Sequence, residues 1–205
     1  DLAQLADFDE SNPEVMDYLA GATLHWLGQG SGAVRIDTIK HMPVEFWRAF
    51  AARLRAEHPG LYLFAEAFDY EPAGIATYTH PENGGISVLD FPKKQAMNAV
   101  FGREGAGFEA LAPTLQLEGG PYANPYELTT FYDNHDVRRL DAEDAGFINA
   151  NHWLFTARGI PVVYYGSEIG FMRGRGEHAG NRNYFGQELC VAGLEGVGDV
   201  LQEDQ

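Results

Sequence analysis

Apolar positions along the chain follow two spacings, one helical and one typical of strands. In SNPEVMDYLAGATLHWLGQG, apolar residues recur three or four positions apart after the candidate N-caps Ser11 and Asn12, which predicts an amphipathic helix. The predicted apolar stripe consists of Val15, Leu19, Ala22 and Trp26. The same spacing predicts further helices over VEFWRAFAARLRAEHPG, FPKKQAMNAVFG and residues 145–158.

Short apolar runs without helical spacing separate these helices. They predict strands at residues 33–37, 61–68, 86–91, 129–133 and 161–166. The run LYLFAEAF is apolar almost throughout, as a strand covered on both faces would be. Apolar strands that alternate with helices pair in parallel through helical crossovers, so the pattern predicts an α/β fold.

Acidic residues lie at or just beyond the ends of these strands. They are Asp37, Glu66, Asp90, Asp136 and Glu168. In a parallel sheet such ends lie on one face, and in a (β/α)8 TIM barrel that face holds the active site. A doubly wound sheet would place them similarly, but no G-x-G-x-x-G or phosphate-binding loop follows a strand. We therefore predict a (β/α)8 barrel, present only in part because roughly five of its eight strands are recognised.

Composition and charge narrow the class of partner. The 205 residues are 45% hydrophobic and 13% aromatic, which is typical of a packed globular protein. Fourteen Lys and Arg residues against thirty Asp and Glu give a net charge of −16, so we expect neither nucleic acid nor membrane as a partner. The single cysteine, Cys190, excludes an internal disulfide and a multi-cysteine zinc site.

Two carboxylates have surroundings that suit different chemical roles. Arg35 and Asp37 are two residues apart on a predicted strand, so both side chains leave the same face, and the guanidinium would hold the carboxylate ionised. Glu66 follows the apolar run LYLFA, where desolvation would favour the protonated form that a general acid needs. Such a divided pair is what retaining glycoside cleavage requires.

The segment FYDNHDVRRL leaves more than one interpretation open. Asp133, Asn134, His135 and Asp136 could form an exposed turn, a metal site or the rim of a catalytic pocket. An Arg-x-Asp pair is likewise a common structural ion pair. The ordered placement of all these groups at successive strand ends favours a catalytic site.

Four segments resemble a known family. AVRIDTIKH, LFAEAF and FYDNHD are similar, in that order, to the second, third and fourth sequence regions of the α-amylase family, glycoside hydrolase family 13, and GIPVVYYGSEIGF resembles its eighth-strand segment. The layout from LADFD onward is most similar to the cyclodextrin glucanotransferase and maltogenic amylase branch. The resemblance implies barrel strands of about 4 to 8, with residues 1–10 as a remnant of the loop domain after strand 3 and residues 11–205 as the C-terminal part of the catalytic barrel.

The resemblance also implies roles for individual residues. Asp37 would be the nucleophile, Glu66 the general acid and then base, and Asp136 the transition-state stabiliser. Substrate-binding residues would be Arg35, Lys40, His41, Phe68, Asn134, His135 and Arg182. Asp7 and the backbone carbonyl of His41 would contribute to a structural Ca²⁺ site, which needs further ligands because calcium takes six to eight oxygens.

The function implied is retaining hydrolysis of α-1,4-glucosidic bonds in starch or maltodextrin. An α-glucanotransferase or a disaccharide-active relative is the alternative within enzymes, although the small Ala3, where cyclising transferases place an aromatic residue, favours hydrolysis. A non-catalytic carbohydrate-binding barrel and a metal-dependent hydrolase also remain open. We expect the 205-residue segment to be inactive by itself, and a secreted or periplasmic location rather than a cytoplasmic one; the oligomeric state stays open.

Overall fold

The structure is a computed structural model that describes residues 6–103 and 105–183. Its helices are α1 (Pro13–Gly28), α2 (Val44–Glu57), α3 (Pro72–Ala76), α4 (Phe91–Phe101), α5 (Ala112–Leu115) and α6 (Asp144–Thr156). Its strands are β1 (Ala33–Ile36), β2 (Tyr62–Ala65), β3 (Ser87–Val88), β4 (Thr129–Thr130) and β5 (Ile160–Pro161). Helices and strands therefore alternate as predicted, with strands that are shorter than the apolar runs.

Helix α1 begins as predicted but buries a different face. Asn12 caps it, because the Asn12 side-chain oxygen accepts a hydrogen bond from the Glu14 amide at 3.0 Å. Part of the predicted apolar stripe is wrong, since Ala22 is exposed and Trp26 is 64% exposed. The competing spacing of Ala20, Leu24 and Leu27 faces the core instead.

Helix α2 buries the predicted face. Phe46, Trp47, Phe50 and Leu54 are all buried, and the Trp47 ring contacts both phenylalanines edge to face. Burial of these aromatic rings on one face of α2 fixes the rotation of the helix about its axis.

The strands pair in chain order. β1 pairs with β2 and β2 pairs with β3, both in parallel. A parallel bridge from Leu89 to Thr129 follows, and β4 pairs with β5. The strand predicted at 161–166 is wrong in extent, because pairing is confined to Ile160–Pro161 and the Val162 side chain is exposed. The parallel α/β prediction is confirmed.

The chain divides into two compact units, each with its own core. Among the described residues, the first comprises 6–92, 114–130 and 158–160, and the second comprises 93–103, 105–113, 131–157 and 161–183. The first core packs α1 and α2 against the β1–β2–β3 sheet, and the second packs α4 and α6 around Tyr132. Every helix within the described residues is too short or too polar to cross a membrane.

The fold does not test three of the sequence-based predictions, which therefore stay predictions. They are the numbering of the strands as about 4 to 8 of a barrel, the assignment of residues 1–10 to a loop domain, and the assignment of residues 11–205 to the barrel. Residues 1–5, including Ala3, and residues 184–205, including Cys190, lie outside the described residues.

Candidate active site

Asp37 and Glu66 directly follow two neighbouring parallel strands. The register places Ile36 of β1 opposite Ala65 of β2, so the two acids leave the sheet at the same level. The Glu66 amide donates to the Ile36 carbonyl at 2.8 Å, and the Glu66 carbonyl accepts from the Ile39 amide at 3.0 Å. Backbone hydrogen bonds therefore continue past the strand ends and fix both residues beside each other.

Arg35 holds both carboxylates. Its Nη1 lies 2.8 Å from Asp37 Oδ1, and its Nη2 lies 2.5 Å from Glu66 Oε2. The Asp37 side chain is 65% exposed, whereas the Glu66 side chain is 13% exposed. One guanidinium thus orients an open carboxylate and a largely covered one.

The surroundings of Glu66 differ in one respect from those expected. Its neighbours Ala65 and Ala67 are buried, as the apolar run predicts. Its carboxylate, however, faces Arg35, and a guanidinium favours the ionised form of a carboxyl beside it. The apolar neighbours would favour a protonated carboxyl, whereas Arg35, which sequence reasoning assigned to Asp37 alone, favours an ionised one.

Lys40 and Phe68 lie together after the same two strands. Lys40 Nζ is 3.1 Å from Asp69 Oδ2 and 3.4 Å from the Phe68 carbonyl oxygen. The Phe68 ring is 51% exposed and packs edge to face against Phe91, with centroids 4.9 Å apart. A ring exposed on a packed base has the geometry for stacking on a sugar, and substrate binding by Phe68 stays a prediction.

Asp69 is a residue of this cluster that sequence reasoning missed. The Glu71 amide donates to its side chain, and this bond, followed by Lys40, lowers the pKa of Asp69. The ionised Asp69 anchors Lys40, and the EAFDYE segment gave the acid no distinguishing neighbour.

His41 is placed by a short turn after β1. Its amide donates to the Thr38 carbonyl at 2.9 Å, and Thr38 adopts a left-handed φ of 47°. The Trp47 indole donates to the Ile39 carbonyl at 2.7 Å, which ties the turn to α2. The His41 side chain is exposed.

Asn134 shapes the turn that carries His135 and Asp136. Its side-chain oxygen accepts from the amides of Asp136 at 2.8 Å and Val137 at 3.0 Å. This closed Asx turn explains why an amide side chain occupies the position. Asn134 therefore acts on the backbone of the DNHD segment.

Asp136 is surrounded by cationic or protonatable groups. His135 Nε2 lies 2.7 Å from Asp136 Oδ2, Arg182 Nη2 lies 2.6 Å from Oδ1, and His178 Nδ1 lies 3.8 Å from Oδ1. Arg182 Nε also donates to the His135 carbonyl at 3.0 Å. Arg182, predicted to bind substrate, here orients Asp136 itself.

The buried residues behind this turn were not found by sequence reasoning. Asp133, which had no predicted task, is buried with Arg139, Ser167 and Asn181. Burial raises the pKa of Asp133, while hydrogen bonds from Ser167 and Leu140 oppose the rise. The available signal was an acidic residue placed directly after the predicted strand segment TTFY, a pattern shared with the candidate acids Asp37 and Glu66.

The predicted calcium ligands do not form a site by themselves. Asp7 is exposed, and its Oδ1 accepts the Phe8 amide at 2.9 Å. Within residues 6–103 and 105–183, no group of three or more His, Cys, Asp or Glu side chains could hold a metal ion. Calcium takes six to eight oxygen ligands, so the described residues do not fit a complete site.

The predicted site residues thus gather in two groups. Arg35, Asp37 and Glu66, with Lys40 and Phe68, belong to the first compact unit. Asn134, His135, Asp136 and Arg182 belong to the second. The first group pairs two carboxylates with an arginine at strand ends, and the second pairs one carboxylate with an arginine at a turn. Such pairs can bind hydroxyl groups and stabilise positive charge.

Comparisons with known proteins match most of the chain to one family. Residues 1–190 match the family described as alpha amylase, catalytic domain. A cyclomaltodextrin glucanotransferase from Niallia circulans is 32% identical over 171 residues, which are 82% of this chain and 24% of the relative. The chain therefore spans about a quarter of the length of that curated relative.

Solved structures agree as well. A three-domain cyclomaltodextrin glucanotransferase is 36% identical with a TM-score of 0.78, covering 90% of this chain and 38% of its own. An alpha-amylase from Geobacillus thermoleovorans, crystallised with acarbose, is 30% identical with a TM-score of 0.78, covering 86% of this chain and 41% of its own. The match to most of the chain implies part of the barrel of that domain: this protein belongs to the alpha-amylase catalytic-domain family, glycoside hydrolase family 13.

Proposed function

We propose that this chain supplies the catalytic carboxylates of a retaining glycoside hydrolase that cleaves α-1,4-glucosidic bonds in starch or maltodextrin. The observation that carries the proposal is the single guanidinium of Arg35 bridging Asp37 and Glu66 at the ends of neighbouring parallel strands. Membership of the alpha-amylase family supports the substrate class.

The unequal exposure of the two acids suits their proposed roles. Asp37 is open to a substrate, and its ionised oxygen attacks the anomeric carbon to form a covalent glycosyl-enzyme intermediate. Glu66 gives its proton to the departing glycosidic oxygen in that step. It then accepts a proton from the water that attacks the intermediate, which releases the sugar and regenerates Asp37.

We propose substrate-binding roles for the remaining groups. Asp136, oriented by Arg182 and His135, accepts hydrogen bonds from hydroxyls of the reacting sugar as positive charge develops. Lys40 and the exposed ring of Phe68 contact the leaving group. The negative net charge sets no electrostatic penalty on a neutral glucan.

An α-glucanotransferase is the second candidate, and one observation favours it. The relative at 32% identity is a cyclomaltodextrin glucanotransferase. Such an enzyme forms the same covalent intermediate, but a sugar hydroxyl replaces water as the acceptor. Cyclic dextrins or elongated oligosaccharides among the products of starch would identify transfer, whereas linear short maltooligosaccharides identify hydrolysis.

The direct test replaces Glu66 by Gln in the full natural protein that contains this sequence. We expect kcat on soluble starch to fall at least about 10²-fold, because general acid catalysis is lost. Glu71→Gln changes an exposed acid five residues away and serves as the matched control. Unchanged turnover in the Glu66 variant refutes the assignment, and would favour a non-catalytic binding barrel.

Calcium binding, location and the activity of the segment are separate proposals. We propose that Asp7 and the His41 carbonyl belong to a structural calcium site completed by other residues, so that chelation lowers the melting temperature with little loss of activity below it. Loss of all activity at unchanged stability would favour a metal-dependent hydrolase instead.

We also propose a secreted or periplasmic location, which cell fractionation tests. We further propose that the 205-residue segment is inactive by itself, which an assay of that segment tests.

A further inference from the structure

A buried hydrogen-bond relay connects two segments of the second unit. Ser167 Oγ donates to Asp133 Oδ1 at 2.7 Å and accepts from Arg139 Nη1 at 2.9 Å. Asp133 Oδ2 accepts the Leu140 amide at 3.1 Å. Asp133, Arg139 and Ser167 are each at most 3% exposed, so the relay operates away from water, where such bonds are strong.

The relay reaches the DNHD turn through Asn181. Arg139 Nη2 donates to the Asn181 carbonyl at 3.2 Å. The fully buried Asn181 side-chain amide in turn donates to the carbonyls of Asn134 at 2.9 Å and Val137 at 2.6 Å. These carbonyls are the first and last of the turn, so a single side chain holds both of its ends.

A second connection passes through Tyr164. The Arg139 guanidinium lies 4.2 Å from the centre of the Tyr164 ring, and that ring lies 6.4 Å from the His135 ring. Burial, followed by Tyr165, raises the pKa of Tyr164 to about 12, so its hydroxyl stays protonated near neutral pH. Arg139 is therefore connected to the 134–137 turn in two ways, through Asn181, which binds the backbone of the turn, and through the Tyr164 ring, which lies near the His135 ring.

Within the described residues, the side-chain hydrogen bonds of Asp133, Arg139 and Ser167 go to partners other than the side chains of Asp136, His135 and Arg182. Asp133 and Asp136 are three residues apart, yet Asp133 is buried and engaged by Ser167, whereas Asp136 is partly open. The two acids of DNHD thus divide into an anchoring group and a substrate-facing group. Burial of these four polar side chains has a desolvation cost that their hydrogen bonds offset in part, since Arg139 Nε and Asn181 Oδ1 make no hydrogen bond within the described residues.

We propose that Asp133, Ser167, Arg139 and Asn181 are positioning residues that hold the 134–137 turn so that Asp136 meets the substrate in one orientation. The inference rests on the proposed function for the role of Asp136. Ser167 is the informative member, because its hydroxyl joins the GIPVVYYGSE segment to the DNHD segment. Loss of that hydroxyl should alter catalysis rather than substrate binding alone.

The test compares Ser167→Ala with Thr79→Val in the full natural protein. Thr79 is the matched control: its buried hydroxyl also makes two hydrogen bonds, donating to the Ala76 carbonyl at 2.7 Å and accepting the Ala123 amide at 3.0 Å. We expect Ser167→Ala to lower kcat on maltopentaose about tenfold with KM changed less than about twofold. Thr79→Val should leave both constants near wild type at a comparable loss of melting temperature.

A readout that needs no activity separates the two proposals. The ¹³C-labelled ring resonance of His135, assigned from a His135→Gln spectrum, should shift in Ser167→Ala and in Asp133→Asn but not in Thr79→Val. If the wild-type protein cleaves no α-glucan, the proposed function fails and this resonance alone decides the positioning role. An unshifted His135 resonance in both Ser167→Ala and Asp133→Asn overturns the inference, as does a wild-type kcat in a folded Ser167→Ala.

Discussion

Arg35 lies on β1 and Glu66 directly follows the neighbouring strand β2, and their Nη2 and Oε2 atoms are 2.5 Å apart. The same guanidinium contacts Asp37, so a single cation serves the two acids to which opposite roles are assigned. A planar guanidinium can present two donors in fixed directions, which a lysine ammonium at the same position cannot do. The activity should therefore depend on the shape of the cation as well as on its charge.

Arg35→Lys tests this dependence. We expect kcat/KM on maltodextrin to fall about ten- to a hundredfold, because a charge-assisted hydrogen bond contributes roughly 1.5–3 kcal/mol and the lysine retains the charge without the fork. Steady-state kinetics measure the effect, with Arg48→Lys on the exposed side of α2 as control. Equal loss in both variants would assign the effect to general destabilisation.

A buried ion pair fixes the 114–115 segment within the first unit. Arg158 Nη1 lies 2.6 Å from Asp90 Oδ2, with both side chains at most 2% exposed, and Arg158 also donates to the carbonyls of Thr114 and Leu115. Arg158→Met removes the guanidinium while keeping an apolar side chain. We expect the free energy of unfolding to fall by about 3–5 kcal/mol, measured by urea denaturation.

The control for that prediction is Arg53→Met, which removes an exposed pair with Asp17. An exposed pair contributes less than about 1 kcal/mol, so the two losses should differ several-fold. Similar small losses in both variants would contradict a structural role for the Asp90–Arg158 pair.

Gly159 is required by both its backbone conformation and its surroundings. Its φ is +105°, and a Cβ atom there would lie 2.8 Å from the Leu128 carbonyl oxygen and 2.3 Å from Thr130 Cγ2. We expect Gly159→Ala to lower the free energy of unfolding by more than about 2 kcal/mol. Gly30→Ala, with a φ of +106° and nothing within 4 Å, measures the conformational part alone and should cost about 1 kcal/mol. Equal losses would exclude steric contact as the cause.

The buried Asp133 predicts a pH dependence of stability. Its pKa is raised above 3.8 by burial, against opposition from Ser167, Leu140, Arg139 and Lys94. Between pH 3.8 and the raised value, the folded state keeps a proton that the unfolded chain has released, so the free energy of unfolding falls as pH rises. Below that pH window this loss of unfolding free energy is absent, and above the window it is complete.

Asp133→Asn should remove this component. Urea denaturation of both proteins across the acidic range gives the comparison, and wild-type stability should decline relative to the variant as pH increases through the window. The constant offset from altered hydrogen bonds does not change with pH and therefore does not obscure the slope. A difference that is flat, or that has the opposite slope, contradicts a raised pKa.

The sequence predicted the fold class and the main helices because those signals are local. The buried face of α2 followed from its spacing alone, whereas α1 contains two competing apolar spacings and only its packing against the sheet selects Ala20 and Leu27. The strand prediction at 161–166 failed because pairing partners, which no local pattern encodes, determine where a strand ends.

For the candidate site, too, the sequence indicated single residues but not the contacts between them. Asp37 and Glu66 were identified from motifs, but the bridging position of Arg35 depends on the register of β1 against β2. Asp133 and Ser167 are 34 positions apart, and their hydrogen bond was invisible in the sequence because neither residue has a distinctive local context. The chemistry of each segment could therefore be predicted from its own sequence, whereas hydrogen bonds between distant segments could not.

The alignment of Ile36 with Ala65 limits how this protein can vary in length. Insertion of one residue within β1 or β2 would turn every later side chain of that strand to the opposite surface, and Arg35 would lose one or both of its acids. Added or deleted residues are tolerable in the connections beyond Lys40 or Phe68, where no such alternation applies. Length changes among natural variants should accordingly fall outside these two four-residue strands, whatever substitutions occur within them.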